Sequence, residues 1–142
     1  MSGTITPDAP QPLTWDELDV GLTVGPIDHL ISQEMVVSYR NLLAADEARP
    51  AETGPGSAMP PTLLATDYVL LLHHQLQLGF GLMTRHETHA LHPVTIGDRV
   101  SVSGTITDKF ERKDRHYWTM RYEVRNEVGV LCIVYIVTCT VD

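Results

Sequence analysis

Met59-Pro60-Pro61-Thr62-Leu63-Leu64-Ala65-Thr66-Asp67-Tyr68-Val69-Leu70-Leu71-Leu72 is the stretch whose reading decides the fold. It opens on two prolines, which suit a first helical turn because a missing N–H costs nothing there and φ is already set. From Thr62 to Leu72 the residues are apolar almost all round, so the spacing predicts a helix from Pro60 onward that other elements must wrap. The wrapping comes next in the chain. After Gly79 the residues are rich in Val, Ile, Thr and Tyr, enough for one antiparallel sheet curled around a single helix, an α+β domain.

Upstream, Ser32 is a natural N-cap with Gln33 and Glu34 in the first turn. Met35, Val36, Tyr39, Leu42 and Leu43 then recur at helical spacing, predicting an amphipathic helix docked by one face. Trp15 to Ile31 carries a first strand that ends near Ser32. Residues 1–13 hold three prolines and no periodic pattern, and are assigned to a flexible arm ahead of a domain spanning 14–142. Asp46 to Ala58 changes to Ala, Pro, Gly, Glu and Ser, a surface loop.

Downstream, Leu82 to Val94 forms a strand and Gly97-Asp98 a turn, with the Asp98 carboxylate fixing it. Val100, Val102 and Ile106 alternate with Ser and Thr, and Trp118, Met120, Tyr122 and Val124 alternate with polar residues: two half-buried strands joined by a charged tip at Lys109 to Arg115. Val130 to Val141 is almost continuously apolar and β-branched, as expected of a strand covered on both faces, one by the helix and the other by a second subunit.

Composition narrows the partners. A net charge of -8 argues against nucleic acid or an anionic membrane surface, both of which need clustered Lys and Arg. The 43% apolar content is enough for a single core. No basic leader or long apolar run is present, which points to a cytoplasmic address. Cys132 and Cys139 lie in one predicted strand, roughly 23 Å apart at the usual rise, too far for a disulfide.

Two motifs carry a family resemblance: Leu91-His92-Pro93-Val94-Thr95-Ile96-Gly97-Asp98-Arg99-Val100 and Ser57-Ala58-Met59-Pro60-Pro61-Thr62-Leu63-Leu64. In this order the chain resembles the MaoC-like hydratases and dehydratases of the hotdog fold, in particular their N-terminal-type dehydratase domain, over about residues 14–141. The resemblance implies a sheet wrapped around one helix, paired into homodimers or heterodimers with a second hotdog subunit. It also implies hydration or dehydration of an acyl thioester carried by coenzyme A or an acyl carrier protein, in fatty acid or polyketide metabolism, with no cofactor and no metal. A non-catalytic acyl-binding subunit that pairs with a catalytic partner is the alternative, and an acyl thioesterase the third reading.

Active relatives carry an Asp-x-Asn-Pro-x-His run; here the corresponding place reads Asp46-Glu47-Ala48-Arg49-Pro50-Ala51, so only Asp46 matches. Their His-Gly pair at the helix start, whose glycine N–H holds the enolate oxygen, is replaced by Met59-Pro60, and proline has no N–H. The substitute acid and base are then Asp67, a carboxylate expensive to bury unless paired or used, and a histidine from His86 or His89; a carboxylate capped at the helix rim is the alternative for Asp67. The resemblance assigns substrate binding to Met59, Pro60, Thr62, Leu63, Tyr68 and Ala90, the last either leaving space where relatives carry an aromatic ring or having that gap filled by Met83, Phe80 or Trp118. His73 and His74 read as a helix end. His86, His89 and His92 repeat every third residue, but a strand sends His89 to the face opposite His86 and His92, which argues against one shared metal ion.

Overall fold

The computed structural model describes residues 11–12, 14–43, 56–77 and 81–141. In chain order these form β1 (Gln11–Pro12), a single 3₁₀ turn (Trp15–Glu17), β2 (Thr23–Leu30), α1 (Gln33–Leu43), α2 (Asp67–Gln75), β3 (Leu76–Gln77), β4 (Met83–Ala90), β5 (Arg99–Arg112), β6 (Arg115–Asn126) and β7 (Leu131–Thr140). Five strands make one antiparallel sheet in the order β2-β5-β6-β7-β4. β1 and β3 add a two-residue parallel pairing, so Gln11 and Pro12 are tied to Leu76 and Gln77. Among the described residues no helix is long and apolar enough to cross a membrane.

The alternation predicted for β5 and β6 is what folds the sheet. Val100, Val102 and Ile106 face inward beside Trp118, Met120, Tyr122 and Val124, all buried. The charged tip is shorter than predicted. Pairing runs to Arg112↔Arg115, leaving Lys113 (φ 52°) and Asp114 (φ 62°) as a two-residue turn whose positive φ values match the strand twist. Ser32 caps α1 as expected, its hydroxyl accepting the Met35 N–H at 3.2 Å. Val36 is buried, whereas Leu42 points to solvent.

The central helix starts later than the proline pair suggests. From Pro60 to Thr66 the chain makes successive turns, with Leu63, Ala65 and Asp67 amides donating to carbonyls three residues back, and α2 begins at Asp67. The sheet anchors these turns: the Tyr135 hydroxyl donates to Pro61 O and the Tyr122 hydroxyl to Ala65 O. Leu71, fully buried, then seats α2 on the sheet where two glycines leave room. A Cβ on Gly104 would stand 2.8 Å from Met120 Sδ and 3.3 Å from Leu71 Cδ1, and one on Gly25 would meet Leu71 Cδ2 at 3.1 Å.

From Cys132 on, β7 is buried on both faces within the chain except at Ile136, which is half-buried on the outer face. Val134 and Ile136 lie between Glu123 and Arg121 of β6 and His89 and Glu87 of β4, and the outer faces of those strands carry the ion pairs Arg85–Glu87, Arg121–Glu123 and Arg125–Glu123. Cys132 and Cys139 both lie in β7, buried and free. Burial pushes the Cys139 thiol up to about 11, where it is no nucleophile.

Candidate functional site

Starting at Asp67 places its carboxylate in the first turn of α2, where the positive end of the helix dipole favours a negative charge. It is 4% exposed. The cost of burying it is offset by a partner that the sequence did not single out: His29 Nε2–H donates to Asp67 Oδ2 at 2.6 Å. The hydrogen bond to Asp67 holds the half-buried His29 imidazole above its ordinary value; burial opposes this, and the charges of Asp67 and Asp28 add to the rise. Asp67 is therefore a paired, buried carboxylate and not one capped at the rim.

His29 reaches the inner face because of a bulge. β2 pairs Val24 with Gly104 and Ile27 with Val102, three residues against two. The extra residue at Gly25-Pro26 reverses the parity of everything after it. Ile27 and His29 turn toward α2, while Asp28 and Leu30 face away and are exposed. Regular alternation from Val24 would have put His29 on the outside.

The partners predicted for Asp67 are elsewhere. His89 lies on the outer face, 3.9 Å from Glu87, and has the whole sheet between it and α2. His86 does face inward, but its Nε2 lies 2.9 Å from the Tyr122 hydroxyl. Asp67 is thus matched with His29 and with neither predicted histidine. Asp46, together with Ala48 and Ala51, lies outside the described residues, as do the side chains of His73 and His74. Asp98 serves its turn as expected, its carboxylate accepting the Thr95 N–H at 2.8 Å.

The predicted substrate-binding residues divide into three groups. Met59 and Ala90 line a groove of about 310 Å³ with Ala58, Pro61, Leu91, His92, Pro93, Val94 and Ile133. It is a mostly apolar channel beside β4, the edge strand of the sheet among the described residues. Thr62 instead hydrogen-bonds the Tyr39 hydroxyl on α1, and Leu63 packs against the core. Tyr68 is buried, its ring 6.2 Å from Trp118 and 6.0 Å from Tyr122, so it forms core and not a groove wall. Met59 N–H is bound to Val94 O at 2.7 Å and Pro60 has none, so this pair offers no donor to an enolate oxygen. In the turns before α2 the Thr62, Leu64 and Thr66 amides have no acceptor among the described residues.

No protein-family model matches the chain, and no curated protein matches it. Solved structures do. An unliganded (R)-hydratase from Pseudomonas aeruginosa aligns with a TM-score of 0.68 at 15% identity, over 89% of this chain and 84% of that one. The HadBC (3R)-hydroxyacyl-ACP dehydratase complex of Mycobacterium tuberculosis gives 0.69 at 17%, over 87% and 98%. A MaoC-like dehydratase from Rhodospirillum rubrum gives 0.69 at 20%, over 91% and 96%. The sheet order, the single helix seated on it and these alignments establish that the chain has the hotdog fold, in the form seen in MaoC-like dehydratases and (R)-hydratases.

Proposed function

We propose that the chain is a hydro-lyase of the MaoC-like kind, adding water to an enoyl thioester or removing it from a β-hydroxyacyl thioester, with His29 and Asp67 as its acid and base. The observation that carries this is the 2.6 Å hydrogen bond between a buried carboxylate and a histidine held above its usual pKa. Hydration needs a proton taken from water and a proton given to Cα. Asp67 takes the first as the hydroxide adds to Cβ, and protonated His29 delivers the second. His29 gives that proton from Nδ1, because its Nε2–H stays on Asp67, and exchange with water then removes the proton gained by Asp67 and reprotonates Nδ1. Dehydration is the reverse. The Thr62, Leu64 and Thr66 amides are donors available to the enolate oxygen. The names of the structural neighbours, (R)-hydratase and (3R)-hydroxyacyl-ACP dehydratase, support the reaction class.

The apolar groove at Met59 and Ala90 takes the acyl chain, delivered on coenzyme A or an acyl carrier protein. Leu82 (66% exposed), Met83 (52%) and Leu91 (61%) leave that edge apolar, and a second hotdog subunit, identical or not, covers it. A second reading has one observation in its favour: with Met59 N–H used and Pro60 lacking one, the usual enolate donor is gone, as suits a non-catalytic acyl-binding partner.

Hydration of crotonyl-coenzyme A, followed by loss of enoyl absorbance, separates the readings. Turnover abolished by Asp67→Asn and His29→Gln supports the hydro-lyase. Full turnover in both variants refutes it. Turnover that appears only with an added catalytic hotdog subunit and ignores both substitutions makes this chain the acyl-binding half, and release of free thiol with no hydration makes it a thioesterase.

A further inference from the structure

Between β4 and the site lies a chain of polar contacts that the acid–base chemistry leaves unused. Tyr122 is fully buried, its ring stacked on Tyr135 at 4.8 Å and 25°. Its hydroxyl donates to Ala65 O, two residues before Asp67, and the same oxygen lies 2.9 Å from His86 Nε2. A neutral phenol has one proton to give. Burial, with the nearby charges adding to it, raises the Tyr122 pKa far above neutrality, so the phenol is intact. With that proton on Ala65 O, the His86 contact requires His86 Nε2 to be the donor. The histidine's tautomer follows from the tyrosine's.

The segment this chain grips is the one that sets Asp67. Residues 60–66 are turns and not helix, held at Pro61 by Tyr135, at Thr62 by Tyr39 and at Ala65 by Tyr122. The Ala65 anchor is nearest to Asp67. If Ala65 O were released, the first turn of α2 would be free to move against β2, and a bond as short as His29–Asp67 tolerates little displacement.

We propose that His86 and Tyr122 are a positioning relay: His86 orients the Tyr122 hydroxyl, Tyr122 anchors the Ala65 carbonyl, and the anchored turn holds Asp67 against His29. His86 acts through Tyr122 and never on substrate. The activity arm of the test rests on the acid–base reading above; the titration arm does not. Asp67 on α2 and Asp28 on its own strand are the charges that act on His29, so His29 reports directly on where Asp67 sits.

The experiment follows the His29 imidazole by NMR titration in the wild type, Tyr122→Phe, His86→Ala and His86→Gln, with circular dichroism to establish folding and crotonyl-coenzyme A kinetics alongside. In Tyr122→Phe and His86→Ala the His29 pKa falls toward its ordinary 6.5, and kcat drops roughly tenfold to a hundredfold with KM little changed. His86→Gln, whose side-chain amide can replace the imidazole donor, recovers both. A folded Tyr122→Phe in which His29 titrates as in the wild type overturns the relay, and so does His86→Gln behaving like His86→Ala. Should Tyr122→Phe not fold, an unchanged His29 titration in His86→Ala overturns it. If Asp67→Asn leaves turnover intact, the hydro-lyase reading falls while the titration still judges the relay.

Discussion

Asp67→Asn perturbs one hydrogen bond at nearly constant volume, which makes its effect on stability calculable in sign and size. In the wild type His29 donates to a buried carboxylate at 2.6 Å, a charge-assisted bond of the kind that contributes about 1.5–3 kcal/mol. The asparagine keeps a neutral acceptor and loses the charge. Because the folded His29 pKa lies above its unfolded 6.5, the pairing favours the protonated native state. Its contribution is complete below that unfolded value and is lost as pH rises through the folded one. The variant should therefore melt lowest relative to the wild type near pH 5.5, by roughly 5–10 °C for a domain of this length, and the gap should narrow toward pH 9. Thermal unfolding followed by circular dichroism at fixed ionic strength reads this. A gap that is constant with pH, or that widens as pH rises, would refute the claim that a protonated His29 is what Asp67 holds.

Two further outcomes test the packing that seats the site. Gly104→Ala drives a Cβ to 2.8 Å from Met120 Sδ and 3.3 Å from Leu71 Cδ1, an overpacking that costs about 1–3 kcal/mol; denaturant unfolding with an unchanged midpoint would contradict it. Ala90→Phe fills the groove it shares with Met59 and Ile133, so KM for a long enoyl thioester rises at least tenfold while crotonyl turnover is retained; equal effects on both chain lengths would show that acyl chains do not lie there.

Much of the fold was legible because it rests on local periodicity. Period-two runs in β5 and β6 set the inward residues Val100, Val102, Trp118, Met120 and Tyr122, and the unbroken apolar run of Val130 to Val141 marked the strand buried on both faces. Ser32 announced its helix by capping chemistry alone. The late start of α2 was not legible, nor were the anchors of the turns before it, the hydroxyls of Tyr122 and Tyr135 that arrive from strands far along the chain.

The site divides the same way. Sequence alone singled out Asp67, because a carboxylate in an apolar helix needs a partner whatever the fold; the resemblance pointed to Ala90 but left open whether free space or a neighbouring side chain lay beside it. The partner of Asp67 could not be read from the chain. His29 lies 38 residues earlier, in a strand whose alternation pointed it outward, and His86 and His89 were nearer in sequence to the same helix. Only the sheet register decided between them. One inserted residue at Gly25-Pro26 turned His29 inward, the pleat sent His89 outward, and a phenol claimed His86. A side chain's chemistry is a property of its residue, but which group it meets is set by strand parity across the whole sheet, and the bulge marked by Gly25-Pro26 reverses that parity for everything after it.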